Sequence, residues 1–179
     1  MRRLMRLRWI FLVPVAPLVP IIGLLGCGGV VVNSFQHLTP EKRAATEKSV
    51  RQFAASVAQD VSQDGPIAWQ KHFSQSPSFF MAVNGKVAFP SGQAAAQAIP
   101  EVARMYKHIE LHWRNDLRVD VLAADLAVLG ASYEELLDAS DGHRAMANGY
   151  FTGVTELLNG QWQFRDAHWS EPVPPVKAP

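Results

Sequence analysis

The sequence predicts an α+β domain with its helices in the first half and its strands in the second. Three observations predict it. Apolar residues recur at helical spacing after Thr39-Pro40-Glu41. Asn84-Gly85 lies between two short apolar runs, which is a strong hairpin signal. From His108 to Trp169, apolar and polar residues alternate with the period of a strand. Helices gathered on one side of an antiparallel sheet make an α+β domain.

Each element follows in chain order. Thr39 is a suitable N-cap and Pro40 suits the first helical position, where its missing N–H costs nothing. Ala45, Val50, Phe53, Ala54, Val57 and Val61 supply the apolar stripe of that first helix. Asp64-Gly65-Pro66 ends it and opens a shorter helical piece carrying Ile67, Trp69, Gln70 and Phe73, which Ser76-Pro77 breaks. Phe79 to Val83 and Lys86 to Phe89 form the hairpin arms. A third helix, rich in Ala and Gln, runs from about Ser91 to Lys107, and Pro100 inside it predicts a kink or a break. Four long runs of strand character then follow in meander order: Ile109 to Val121, Ala127 to Leu137, Arg144 to Leu158, and Gln161 to Trp169. Asn159-Gly160 turns the last pair. The Pro-rich end, Pro172-Val173-Pro174-Pro175, cannot join a ladder.

The N-terminal segment carries an address. Arg2, Arg3, Arg6 and Arg8 precede a run from Trp9 to Leu25 without a single charge. Pro14, Pro17 and Pro20 interrupt the run, which makes it a poor spanning helix. A charged start, an apolar stretch and small residues after it are the layout of an export signal. Leu24-Leu25-Gly26-Cys27 resembles the lipobox of bacterial lipoprotein signals, with Leu25 departing from the usual small residue. That resemblance implies diacylglycerol on the Cys27 thiol, cleavage before Cys27, and anchorage to a lipid bilayer through the acylated residue. Gly28, not Asp, follows, so in a cell with two membranes the expected address is the periplasmic face of the outer membrane. An uncleaved anchor helix or free secretion are the alternatives. The expected organisation is a signal peptide over 1–26, a tether over 27–39, the folded domain over 40–171 and a Pro-rich tail over 172–179.

Composition narrows the function classes. The chain of 179 residues is 48% apolar and carries a formal charge of +1. Four of its seventeen basic residues lie in the export signal, which leaves thirteen basic against sixteen acidic residues in the rest. A mildly acidic domain without a basic stripe is unsuited to nucleic acid, whose recognition relies on clustered Lys and Arg. Cys27 is the lone cysteine, so no disulfide and no Cys-based metal site is expected. His108 and His112 lie at a helix-to-strand junction and do not share a helix face; no metal is expected there. No Gly-rich phosphate loop and no G-x-S-x-G elbow occurs, and no cofactor is expected.

Over residues 44–171 the chain resembles the nuclear-transport-factor-2-like superfamily, in its SnoaL-like branch. Trp69, Phe73, Phe80-Met81 and Asn84-Gly85 follow the family's opening order. Ile109-Glu110-Leu111-His112-Trp113, Val119 and Ala127-Val128 follow its middle. Gly149-Tyr150-Phe151-Thr152, Gly160-Gln161-Trp162 and His168-Trp169-Ser170 follow its close. The resemblance implies a cone: a curved sheet wrapped around the N-terminal helices, with a cavity open at one end. The superfamily uses that cavity for isomerases, dehydratases, cyclases and small-ligand binding, or pairs its sheets in purely structural dimers. Fold alone does not choose between these.

Strict period two would put Trp162, Phe164, Asp166, His168 and Ser170 on one face of the last strand. The resemblance turns the His168 and Ser170 face inward. Tyr150 and Thr152 share a face of the preceding strand. Trp69, Phe80, Tyr106, Trp113, Tyr150, Thr152, Trp162, His168 and Ser170 are therefore the expected cavity lining. Phe73, Phe89 and Met105 are expected in the core beside those aromatics. His112 shares its face with Glu110 and Arg114, which reads as solvated. No pair of carboxylates is recognisable on one inner face. The leading expectation is thus a membrane-tethered domain that binds a small, largely apolar ligand without catalysis. The enzymatic alternative uses His168 as general acid/base, oriented by Asp166 or Tyr150, in an isomerase, dehydratase or cyclase reaction. A third reading is a module that forms a homodimer through its outer sheet face.

Overall fold

The computed structural model describes residues 38–172. The expected signal peptide, Cys27, nearly all of the expected tether and the tail from Val173 onward lie outside the described residues. Helix α1 spans Pro40–Asp64, and the Thr39 side chain accepts a hydrogen bond from the Lys42 N–H at 3.3 Å. Its buried stripe is Thr46, Val50, Phe53, Ala54, Val57 and Val61. Ala45 is exposed and Thr46 takes its place, one residue further round the helix. A 3-10 turn, Gly65–Ala68, leads into the short α2, Trp69–His72.

Strands β1 (Phe80–Val83) and β2 (Lys86–Phe89) form the hairpin. Its turn residues Asn84 and Gly85 both have positive φ, 49° and 78°, as a two-residue turn between twisted strands requires. Helix α3 spans Gly92–Met105, with the Ser91 side chain accepting from the Ala94 N–H at 3.1 Å. Pro100 sits inside this single helix without splitting it, and the chain turns to strand already at Tyr106. The first long β-run is divided into β3 (Tyr106–Trp113) and β4 (Arg118–Ala123). Both pair antiparallel with β5 (Leu126–Ala139), one along each half of it. The break between them is pinned by Asp116, whose carboxylate accepts from the Ser132 N–H at 3.0 Å and the Ser132 hydroxyl at 2.6 Å. Strands β6 (Arg144–Leu158) and β7 (Gln161–Ser170) complete the meander.

The seven strands form one sheet in the order β2-β1-β7-β6-β5-β3, with β4 also on β5. The sheet is antiparallel except where β1 runs parallel to β7, so it is mixed. Helix α1 lies on the inner face. Val50, Ala54, Val57 and Val61 are wholly buried, facing Leu111, Leu129, Phe151 and Phe164. Burying one such large side chain contributes roughly 1.5–3 kcal/mol.

One irregularity decides which residues face this core. In the pairing of β6 with β7, Thr155 is opposite Phe164, but the next partner of Val154 is Asp166. Arg165 is the extra residue of a β-bulge. A bulge adds one residue to one strand and so inverts the alternation beyond it. Trp162 and Phe164 point inward before the bulge, and Ala167 and Trp169 after it. The Asp166 carboxylate accepts from the Val154 N–H at 3.3 Å, at the step where the ladder is disturbed.

Candidate functional site

The inner face is filled at one end and hollow at the other. At the filled end Phe53 and Phe151 pack on Phe164, with Phe151 and Phe164 centroids 5.1 Å apart, and this cluster continues through Phe73 and Trp169 to the border of the hollow. At the other end a cavity of about 280 Å³ opens between α3, the β1–β2 hairpin and the inner faces of β3, β5 and β7. Trp69 and Phe73 come to it from α2 and its C-terminal edge, Met81 and Val83 from β1, Ile99 and Val102 from α3, and Tyr106 from the start of β3. Tyr133, Glu135 and Leu137 come from β5, Ala147 from β6, and Trp169 and Glu171 from β7 and its end. A cavity that holds benzene measures ~150 Å³, so this one suits a ligand somewhat larger than a single ring.

Alternation along β5 explains the polar groups. Ala127, Leu129, Ala131 and Tyr133 are buried in turn, and the same phase brings Glu135 and Leu137 inward. Glu135 is opposite Leu111 on β3 and Ala147 on β6. Its neighbour Glu134 faces outward and pairs with Arg114. Burial, reinforced by the negative charge of Glu171, pushes the Glu135 carboxyl up to about 7. Burial and then the charges of Glu135 and Glu171 push the Tyr133 phenol up to about 12. Among the described residues, the Glu135 carboxyl and the Tyr133 hydroxyl make no hydrogen bond and stay open to the cavity rather than sealed in the core, and no Lys, Arg or His lines the cavity.

Glu171 stands at the mouth. Its N–H donates to the Asn84 side-chain oxygen at 2.8 Å, and its carboxylate accepts from the Asn84 amide at 3.3 Å. The Asn84 N–H donates to the Trp169 carbonyl at 2.9 Å. The hairpin turn thus fixes the end of β7 over the opening.

The expected lining divides into three groups. Trp69 and Tyr106 do line the cavity. Trp113 and Trp162 face inward elsewhere: the Trp113 indole donates to the Ala54 carbonyl at 2.8 Å, and the Trp162 indole donates to the Ser49 hydroxyl at 2.8 Å. The remaining residues are not on the inner face. His168 and Thr152 are exposed and opposite one another on the outer face, with Tyr150 beside them at 39% exposure. Ser170 is half-buried and its hydroxyl donates to the Tyr150 carbonyl at 3.1 Å. The bulge at Arg165 is the reason: it turns His168 and Ser170 away from the face that Phe164 occupies. Phe80 is 46% exposed because its neighbours Phe79, Met81 and Val83 take the inward phase of β1, with Phe79 wholly buried against Phe73. Met105 is 55% exposed at the end of α3. His112 is exposed and bonded to Glu110 at 3.0 Å, as its solvated face predicts.

Tyr133, Glu135 and Glu171 were not among the expected site residues. The signal for two of them is present in the sequence: Tyr133 and Glu135 fall in phase with Ala127, Leu129, Ala131 and Leu137. An acid in the apolar phase of a strand is the feature to look for. A second buried polar group, His72, lies away from the cavity. Its ring is 3.0 Å from the Asp60 carboxylate, and burial holds it below the usual histidine range against the pull of Asp60.

No family model matches the chain, and no curated protein matches it by sequence. Solved structures do match in fold. A nuclear-transport-factor-2-like superfamily protein from Salmonella enterica superposes with a TM-score of 0.64 at 14% identity, covering 75% of this chain and 96% of that one. A scytalone dehydratase candidate from Novosphingobium aromaticivorans gives 0.66 at 9% identity, covering 75% and 89%. The hexachlorocyclohexane dehydrochlorinase LinA-type3 from Novosphingobium barchaimii gives 0.58 at 14% identity, covering 73% and 88%. The chain therefore has the nuclear-transport-factor-2-like α+β cone fold.

Proposed function

We propose that this domain takes a small, largely apolar molecule into its cone cavity and holds the polar end of that molecule on Glu135 and Tyr133. The observation that carries the reading is an open cavity of about 280 Å³ whose wall is apolar apart from two glutamates and two phenols. Concave, mostly apolar pockets with a few convergent polar groups are the usual form of small-molecule sites. Ala147→Phe places a ring into the cavity opposite Glu135. Native mass spectrometry of the wild-type chain is expected to show a co-purified small apolar ligand that this variant lacks. A wild-type protein that is always empty, and that binds no apolar probe, overturns the reading.

A second reading is favoured by the same carboxyl. A group that titrates near neutral pH can take a proton and return it, so Glu135, not His168, is the candidate general acid/base. Two structures of similar fold bear the names of a dehydratase and a dehydrochlorinase, both eliminations. Catalysis would show a rate that rises with an apparent pKa near 7 and is lost in Glu135→Gln.

The SnoaL-like branch and the membrane address are part of the proposal. The closing Gly160-Gln161-Trp162 and His168-Trp169-Ser170 support the branch, and Leu24 to Cys27 support acylation and tethering at an outer membrane. Several acyl chains anchor durably, each buried CH₂ contributing ~0.8 kcal/mol. Cys27→Ser is expected to release the protein from membranes; unchanged retention would favour a helical anchor.

A further inference from the structure

We propose that the ligand of this cavity is a small hydrophobic amine, bound as its cation between Glu135 and Glu171 and against the aromatic wall. The inference rests on the cavity-binding reading and names the chemical class that the site selects.

Charge is the first argument. Glu135 and Glu171 both line the cavity, and among the described residues no basic side chain lines it. Burial, and then the charge of Glu171 at the exposed mouth, make Glu135 costly to keep charged. The Glu171 backbone N–H is fixed on Asn84, and its carboxylate is held at the mouth by one hydrogen bond from the Asn84 amide. A cation entering the cavity offsets both the burial of the Glu135 charge and its repulsion by Glu171. An anion meets two like charges, and a neutral ligand leaves the repulsion as it was.

The second argument is independent of the acids. Tyr133 is only 2% exposed and lines the cavity, yet its hydroxyl has no hydrogen-bond partner among the described residues. The hydroxyl is not sealed off, so it is open to a partner that enters the cavity. An ammonium supplies donors both to that phenolic oxygen and to the Glu135 carboxylate. The third argument is the wall. Trp69, Phe73, Tyr106 and Trp169 present aromatic rings, which attract a cation as well as an apolar body.

The site also links binding to pH. The groups facing Glu135 from the surrounding elements are Glu171 from the end of β7, Tyr133 on its own strand and Tyr106 from β3; α3, β1 and β6 contribute apolar residues. With its carboxyl at about 7 in the empty site, Glu135 must give up a proton below that pH before it can pair with a cation. Affinity for an amine therefore rises with pH up to about 7 and then levels. A neutral ligand that accepts a hydrogen bond from protonated Glu135 would show the opposite trend.

The test uses the full chain and two probes of matched shape, 2-phenylethylamine and 2-phenylethanol, titrated calorimetrically. At pH 8 the amine is expected to bind at least about tenfold tighter than the alcohol, a preference that falls by about tenfold per pH unit below 7. Glu135→Gln is expected to bring the two probes within about threefold of each other while the alcohol still binds, which shows that the variant is folded. Glu171→Gln is expected to weaken the amine by a smaller factor. If the alcohol binds as tightly as the amine at pH 8, the cavity reading stands and the amine inference falls. If neither probe binds, both fall.

Discussion

The two ends of the cone use the same kinds of residue for different purposes. At the filled end, Phe53, Phe151 and Phe164 close the space between α1 and the sheet with rings 5.0–5.3 Å apart, including Trp113 on Phe151. At the open end, Trp69, Tyr106 and Trp169 have the same bulk but leave about 280 Å³ between them. Helix α1 makes the difference. Its stripe from Val50 to Val61 lies over the filled end, and the open end is roofed instead by α3, whose Ala95 and Ile99 are buried. Ligand chemistry is therefore sought where the packing stops, and stability where it is complete.

The largest expected effect belongs to the filled end. Phe164 is wholly buried and its ring lies within 6.4 Å of Phe53, Trp69, Phe73 and Phe151. Phe164→Ala is expected to destabilise the domain by about 3–5 kcal/mol, read from urea unfolding. A loss below about 1 kcal/mol would mean that the ring is not part of a closed core and that the contrast between the two ends is false.

The next effect is smaller and of opposite sign, and it belongs to the open end. The Glu135 carboxyl is raised from 4.5 to about 7 on folding. Between those values the folded state binds more protons than the unfolded state, so stability falls as pH rises. The contribution is intact below about 4.5 and lost once pH passes about 7. Glu135→Gln removes this dependence and is expected to stabilise the domain at pH 8 by up to about 3 kcal/mol, with little change at pH 4. Thermal melts at the two pH values check it. A variant that is less stable than wild type at pH 8 would show that Glu135 has a partner that holds its charge.

Much of the architecture was legible because periodicity is a local property. The capped start of α1 at Thr39-Pro40, its stop at Gly65-Pro66, the Asn84-Gly85 and Asn159-Gly160 turns and the long strands all follow from residues close in sequence. The parallel pairing of β1 with β7 was not legible, since it joins segments more than eighty residues apart through contacts that leave no local pattern. The candidate site was half legible. Trp69 and Tyr106 were reached as aromatics in the right elements. Glu135 was missed although its phase on β5 was readable, because an acid directly after Glu134 looks like part of a polar turn or face. His168 was misplaced for a different reason. Alternation fixes a face only while the register holds, and one extra residue at Arg165 reverses it without any glycine or proline to announce the bulge.

That reversal leads to the smallest expected effect. His168 is exposed, its cross-strand neighbour Thr152 is exposed, and among the described residues its ring makes no hydrogen bond or ion pair. A surface side chain without such contacts rarely contributes more than about 0.5 kcal/mol. His168→Ala is expected to stay within that range in urea unfolding and to leave binding of a cavity probe unchanged, whereas the adjacent Trp169, 8% exposed and in T-shaped contact with Trp69 at 5.1 Å, lies on the other side of the sheet and lines the cavity itself. Two neighbours on one strand thus separate the faces. If His168→Ala abolished ligand binding while Trp169→Ala did not, the bulge would lie elsewhere, and the hollow would have to be relined with Tyr150, Thr152 and Ser170 in place of Tyr133 and Glu135.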